Sequence, residues 1–143
     1  CPADIYTCII RAGVTLPRPM LTLRSSAAMP AQFAFDRGQL GGPGGLLAFV
    51  VSASTLARDA LQTQVLAQAQ QQLGLNLQAV QTIVEKRATF ACTPGLQRPA
   101  LQIAPGLLAC GDYVAGPYPA TLEGAVRSAV AAVAALTMHP QTV

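Results

Sequence analysis

The residues most suited to binding chemistry lie near the C-terminal end of the chain. Leu107-Leu108-Ala109-Cys110 is an apolar run that reads as a buried strand, and Gly111-Asp112 ends it abruptly. A loop rich in Gly and Pro follows, Tyr113 to Pro119, and a helix opens at Ala120-Thr121-Leu122-Glu123. A carboxylate just past a buried strand accepts hydrogen bonds from a sugar-like hydroxyl and from nearby backbone N–H groups, and Asp112 stands in that position. The free N–H groups of the first helical turn, at Thr121, Leu122 and Glu123, can hold an anion or a partly negative ring oxygen. In open α/β sheets, cofactors bind at such strand-to-helix mouths. The competing readings are modest. Asp112 could end its strand by bonding its own turn, and Glu123 could serve only as a first-turn capping carboxylate.

Few other charges are available for chemistry. Asp36-Arg37 and Glu85-Lys86-Arg87 form two clusters. They lie beside a substrate cavity or domain junction in one reading, and in the other form exposed ion pairs worth ~0–1 kcal/mol. The single His, His139, follows the last helical pattern and reads as a solvated tail residue, so no Ser/His/Asp or Cys/His nucleophilic set can be assembled. Cys1, Cys8, Cys92 and Cys110 show no C-x-x-C spacing, which with one His argues against a zinc site or other metal centre. Three of them sit in apolar, strand-like contexts where a reduced, buried thiol is usual, which suits a cytoplasmic compartment.

The elements that must position these residues are legible in outline. Up to about Ser54 the pattern is β: Asp4 to Arg11, Met20 to Ser25, Gln32 to Asp36 and the continuous apolar run Leu46 to Ser52. Their spacing suggests an antiparallel meander. Gly38 to Gly45 is a glycine-rich loop or wide hairpin. Ser54 can cap a helix whose apolar residues (Leu56, Ala60, Leu61, Val65, Leu66, Ala69, Leu73) recur at helical spacing, with Gly74 as its stop. Gln62, Gln64, Gln68, Gln70 and Gln71 form its polar, solvated side. Ala79 to Phe90 is a further strand. The final helix would bury Leu122, Ala125, Val126, Ala129, Val130, Val133 and Leu136, and end at Pro140. There is no internal repeat.

Composition adds one anomaly. The chain has 143 residues, of which 52% are hydrophobic and 10% charged, with a formal charge of +3. A free-standing domain of this size usually carries about 25% charged residues. A surface this poor in charge expects a covering: a missing part of the same protein, another subunit, or a lipid surface. The basic residues are scattered and aromatics make up 5%, which argues against nucleic acid. No apolar run approaches the ~18 residues that span a bilayer, and none resembles a signal peptide.

The run Leu-Leu-Ala-Cys-Gly-Asp, with Pro119-Ala120-Thr121-Leu122-Glu123-Gly124-Ala125-Val126-Arg127-Ser128, resembles the C-terminal flavin-binding segment of FAD-dependent amine oxidases and phytoene desaturases. It looks most like the squalene-associated branch, the hydroxysqualene dehydroxylases of hopanoid synthesis. Leu16-Pro17-Arg18-Pro19-Met20, Gln32-Phe33-Ala34-Phe35-Asp36-Arg37-Gly38 and Glu85-Lys86-Arg87-Ala88-Thr89-Phe90 fit the same branch, in the family's order. Ala129 departs from it, since Gly commonly follows the Ser at this place.

The resemblance implies an α+β chain: an antiparallel or mixed sheet with a long helix, then a strand-helix unit completing a Rossmann-type FAD domain. Residues 1–90 would belong to a substrate-binding domain and 91–143 to the C-terminal part of the FAD-binding domain. Gly111, Asp112, Pro119, Thr121, Leu122 and Glu123 would bind FAD. Asp112 would contact its ribityl–phosphate part, and Asp36, Arg37 and Arg87 would be the charged candidates for the substrate pocket. No G-x-G-x-x-G follows a strand, so a missing N-terminal dinucleotide-binding half of the same protein is the expected partner, and this piece alone would be inactive. The implied reaction is reduction of hydroxysqualene to squalene by FADH2, with an apolar isoprenoid substrate and peripheral membrane contact. A carotenoid-type desaturase or flavin amine oxidase would use the same segment to oxidise its substrate. A non-catalytic, self-associating module is the alternative from another class.

Overall fold

Strand-forming runs in the first half of the chain come from β-branched and aromatic residues bounded by Pro and Gly, and they assemble into one sheet. The computed structural model describes residues 2–138, so the expectations for Cys1, His139 and Pro140 concern residues outside this range. The chain is α+β and divides into two compact units, Pro2–Ala88 and the stretch from Thr89 onward.

The first unit is a five-stranded antiparallel sheet with one helix. In chain order the strands are β1 (Pro2–Arg11), β2 (Met20–Thr22), β3 (Phe33–Asp36), β4 (Leu46–Ser52) and β5 (Gln78–Phe90), and α1 (Arg58–Leu73) precedes β5. Their order in the sheet is β2-β3-β4-β1-β5. The register pairs Cys8 with Phe49 and Phe49 with Ala34, and Ile10 with Leu47 and Leu47 with Asp36. Opposed residues share a face, so Cys8, Ile10, Ala34, Leu47, Phe49 and Val51 line one side of the sheet. All are buried, and Leu61, Val65 and Ala69 of α1 join them in the core. Each large side chain here contributes about 1.5–3 kcal/mol by leaving water.

Period 2 sends the remaining residues of these runs to the other face. There Ile5, Ile9, Phe33, Phe35 and Val50 are half-buried, and Phe33 and Phe35 stand 6.2 Å apart between ring centroids. The continuous apolar character of β4 thus reflects a sheet that is apolar on both faces.

α1 differs from its sequence reading at one end and along one side. It begins at Arg58, with Ala57 at the N-cap and no side-chain cap; the Ser54 hydroxyl instead accepts the Leu56 N–H at 3.2 Å, a turn too early. Gly74 ends it as expected, at φ 68°, a left-handed conformation that glycine adopts without strain. Gln68 is not on a solvated side: it is fully buried. Its Oε1 accepts the Ala31 N–H at 2.9 Å, and its Nε2 donates to the Ala31 carbonyl at 2.9 Å and to that of Arg24 at 3.2 Å. The amide imitates a strand backbone and satisfies a loop that turns between Ser26 and Met29, which is why a polar residue sits in the core.

The second unit corrects two expectations. Leu107 to Cys110 is not a buried strand. Only Leu107–Leu108 is extended (β7), paired antiparallel with Gln102–Ala104 (β6), and Leu107 is 55% exposed. Pro105-Gly106 explains it. Pro at the second place of a turn and Gly at the third, here at φ 74°, fold the run back on its own neighbour. α2 (Leu122–Met138) also faces the opposite way to its hydrophobic pattern. Gly124 and Ala132 are buried, and Ala125, Ser128, Ala129 and Ala135 half-buried. Leu122, Val126, Val130, Val133 and Leu136 are all exposed. The small side permits a close approach that the branched side would block.

Cys110, at the end of the expected strand, also differs from expectation. Cys8 is buried, and burial pushes its thiol pKa up, but Cys92 and Cys110 are exposed because the segments around them are loop rather than core strand. Among the described residues no helix is long and apolar enough to cross a membrane.

Candidate functional site

Asp112 lies in the second unit, half-buried, between the β6–β7 hairpin and α2. Its backbone is held from the helix side. The Gly111 N–H donates to Ser128 Oγ at 2.8 Å, and the Ser128 hydroxyl faces the carbonyls of Gly111 at 3.0 Å and Ala125 at 2.8 Å. The Asp112 carbonyl accepts the Ala120 N–H at 3.2 Å. Its carboxylate is held from within the same unit, where Thr89 Oγ1 donates to Oδ2 at 3.1 Å. Gly111 sits at φ 151°, and a Cβ there would lie 2.5 Å from the Tyr113 ring. In this structure its missing side chain therefore makes room for Tyr113.

Thr121 is the N-cap of α2: its Oγ1 accepts the Gly124 N–H at 3.1 Å, while its hydroxyl donates to the Tyr118 carbonyl at 2.7 Å. That leaves the N–H groups of Leu122 and Glu123 without an acceptor among the described residues. Glu123 is not a capping carboxylate, because it pairs with Arg127, one turn on, at 2.6 Å. Arg127 in turn lies 5.1 Å from the centre of the Tyr118 ring.

The loop ahead of the helix is strained. Tyr118 and Ala120 both adopt φ 58°, a left-handed conformation uncommon outside glycine and costing on the order of 1–3 kcal/mol each. Two clasps hold the turn in place. Arg98 donates to the carbonyls of Val114 and Gly116, and the Ala115 N–H donates to the Pro99 carbonyl at 2.8 Å. Pro119, exposed, borders a pocket of ≈ 340 Å³ lined also by Phe90, Cys92, Leu96 and Arg98.

Of the residues picked from sequence, Gly111, Asp112, Pro119, Thr121, Leu122 and Glu123 thus fall in one loop and helix start. The assembly can accept a hydroxyl donor at Asp112 and offer two N–H donors, at the positive end of a helix, to an electron-rich oxygen. Thr89, Ser128 and Arg98 complete the arrangement and do not stand out in the sequence as site residues. Ser128 was within reach of pattern reading, because it shares the small face of α2 with Gly124 and Ala132; Thr89 and Arg98 act across turns that carry no periodicity.

Asp36, Arg37 and Arg87 belong to the first unit and are not brought together. Asp36 ends β3 beside Leu47 and Ile10, whereas Arg87 lies near the far end of β1, its N–H donating to Asp4 Oδ1 at 3.0 Å. Arg37 and Arg87 are exposed, and Arg87 lies within β5 at φ 55°. Asp36 is 2% exposed, and its carboxylate is committed to the fold. It accepts from the Gln39 side chain at 2.8 Å, the Leu16 N–H at 2.9 Å and the Gly38 N–H at 3.0 Å.

These donors, led by the Gln39 amide, hold the Asp36 pKa below the ordinary carboxylate value against the opposing effect of burial. A lowered folded-state pKa stabilises the fold above the unfolded value of about 3.9 and ceases to do so as pH falls through the folded value. Asp36→Asn should therefore melt several degrees below the parent at pH 7. Melting curves taken down to about pH 3 should show the gap closing, because only the parent has a carboxylate to protonate.

Comparison with protein-family models and with curated proteins returned no match for this chain.

Proposed function

We propose that the chain is the C-terminal part of an FAD-dependent oxidoreductase that reduces hydroxysqualene to squalene in hopanoid or isoprenoid synthesis. The observation that carries this reading is one loop holding both a carboxylate and a helix start with two open donors: Asp112, and the N–H groups of Leu122 and Glu123 that the Thr121 cap leaves free. This donor and acceptor set fits a flavin. Asp112 would accept a ribityl hydroxyl, and the positive end of α2 would stabilise negative charge on the pyrimidine side of the ring. Thr121 and Pro119 would shape the approach to that helix end. Reduced FAD, when bound, would supply a hydride to the allylic carbon, and the hydroxyl would take a proton and leave as water.

The second unit would then be part of a Rossmann-type FAD domain, completed by an N-terminal dinucleotide-binding half of the same protein. The first unit would belong to the substrate domain. Its second sheet face, with Ile5, Ile9, Phe33, Phe35 and Val50, suits an apolar isoprenoid. Peripheral membrane contact, in the cytoplasm, would give access to such a substrate.

The test is the visible spectrum of the full protein containing this chain. A flavin spectrum is expected in the parent. Asp112→Ala should weaken FAD binding by roughly 10- to 100-fold, the effect of one hydrogen bond to a charged group. Squalene should appear from hydroxysqualene only under reducing conditions. A colourless parent overturns the reading. It would favour the alternative of a self-associating module, for which the exposed branched side of α2 speaks, and which would show concentration-dependent oligomers.

A further inference from the structure

The Asp112 carboxylate is held by an element remote from it in sequence. Thr89 is the penultimate residue of β5, and its hydroxyl donates to Oδ2 across a separation of 23 residues. Threonine branches at Cβ and has few side-chain conformations in a strand, so this donor is fixed by the backbone that carries it. The main chain of Asp112 is fixed separately, through the Gly111–Ser128 and Ala120 contacts. Oδ1 alone has no protein donor among the described residues.

We propose that Thr89 is a positioning residue: it turns the Asp112 carboxylate so that Oδ1 is presented to a hydroxyl of a bound polyol chain. This rests on the flavin reading, in which the polyol is the ribityl chain. Without the Thr89 hydroxyl the carboxylate rotates freely about its last bond, and the ligand must order it on binding. The same pair could instead merely fasten the end of β5 to the loop. The two roles differ in one respect. A positioning residue leaves the stability of the flavin-free fold unchanged when its donor is removed, whereas loss of a fastening contact lowers it whether or not the carboxylate meets a ligand.

The experiment is a double-mutant cycle on the full protein freed of flavin, with FAD as the probe and the thermal midpoint of each flavin-free variant alongside. Thr89→Val keeps the shape and removes the donor; it should weaken FAD binding about 10-fold. Thr89→Ser restores the donor and should bind within about twofold of the parent. In the Asp112→Ala background, Thr89→Val should change nothing further. Effects that multiply in the double variant, FAD binding unchanged by Thr89→Val, or a flavin-free Thr89→Val protein that melts several degrees below the parent overturn the assignment and leave the flavin reading standing. A parent that takes up no FAD overturns both.

Discussion

Replacing Gln68 by Ala should lower the unfolding free energy of the Pro2–Ala88 unit by about 3–4 kcal/mol, a large share of what a small domain possesses. The substitution strands the Ala31 N–H and carbonyl, both of which now bond the buried amide, and leaves a cavity between α1 and the loop. Unpaired buried groups cost about 1–3 kcal/mol each, and truncation of a buried side chain adds a cavity term. Gln68→Glu separates the contributions. At neutral pH a carboxylate still accepts from Ala31 but cannot donate to the carbonyls of Ala31 or Arg24. The variant should therefore be less stable than the parent at pH 7 and recover part of the loss on acidification, as the protonated group regains a donor. Denaturant midpoints at the two pH values measure both effects. A Gln68→Ala loss below about 1 kcal/mol, the level of an ordinary surface change, would show that the loop has another anchor.

Gly124 sets two effects of opposite sign against each other. It lies in the first turn of α2, where helix propensity alone favours Ala over Gly by about 1 kcal/mol. Sterics oppose it: a Cβ at this position would collide with the backbone carbonyl oxygen of Tyr118, which no side-chain rotation relieves. That carbonyl is tied down by the Thr121 hydroxyl, and Tyr118 already holds a strained backbone. Sterics should win. Gly124→Ala is expected to destabilise the second unit despite its better propensity, and Gly124→Val by roughly 2–3 kcal/mol. Hydrogen exchange at residues 117–125 should accelerate in both variants, and on the flavin proposal Gly124→Val should also weaken FAD binding by the full protein. A stabilising Gly124→Ala would mean that the loop stands off the helix.

Much of the first unit could be read from residue type and spacing, and the exceptions have physical causes. β4 announced itself by a run of β-branched and aromatic residues, and Gly74 by the left-handed turn that ends α1. Gln68 was misjudged because its chemistry outweighed its position: it lies seven residues from Leu61 and three from Val65, on the buried stripe, where period alone would have put it. Pro105-Gly106 is a strong turn signal that the apolar run after it obscured. For α2 the size of the side chains misled. Close packing selects Gly, Ser and Ala, so the helix buries its small side and turns Val126, Val130 and Val133 outward.

The candidate site was legible as a local motif and illegible as an assembly. Asp112, Thr121, Leu122 and Glu123 are near one another in sequence, so a single loop leading into a helix start places them together. Thr89 meets Asp112 only because of how the intervening chain turns, and no spacing rule encodes such a meeting. Asp36 shows the converse. Scarcity of charge made it conspicuous, yet its carboxylate organises the Leu16 and Gly38 segments rather than facing a ligand.

The sheet order has a consequence for how the chain is made. β1 is synthesised first but lies between β4 and β5, so its two edges stay unpaired until much later segments emerge. Asp4 meets Arg87 across 83 residues. Long-range pairing of this kind slows folding, because loop closure precedes any reward from contact. β2, β3 and β4 are consecutive in the chain and neighbours in the sheet, so they can form a meander early, and β1 must then dock onto its free edge before β5 can complete the sheet. During that interval two apolar strand edges are open at once, the condition in which nascent chains aggregate. The glycine-rich loop Gly38–Gly45, which brings β4 back beside β3, thus helps decide the speed at which the vulnerable stage is passed.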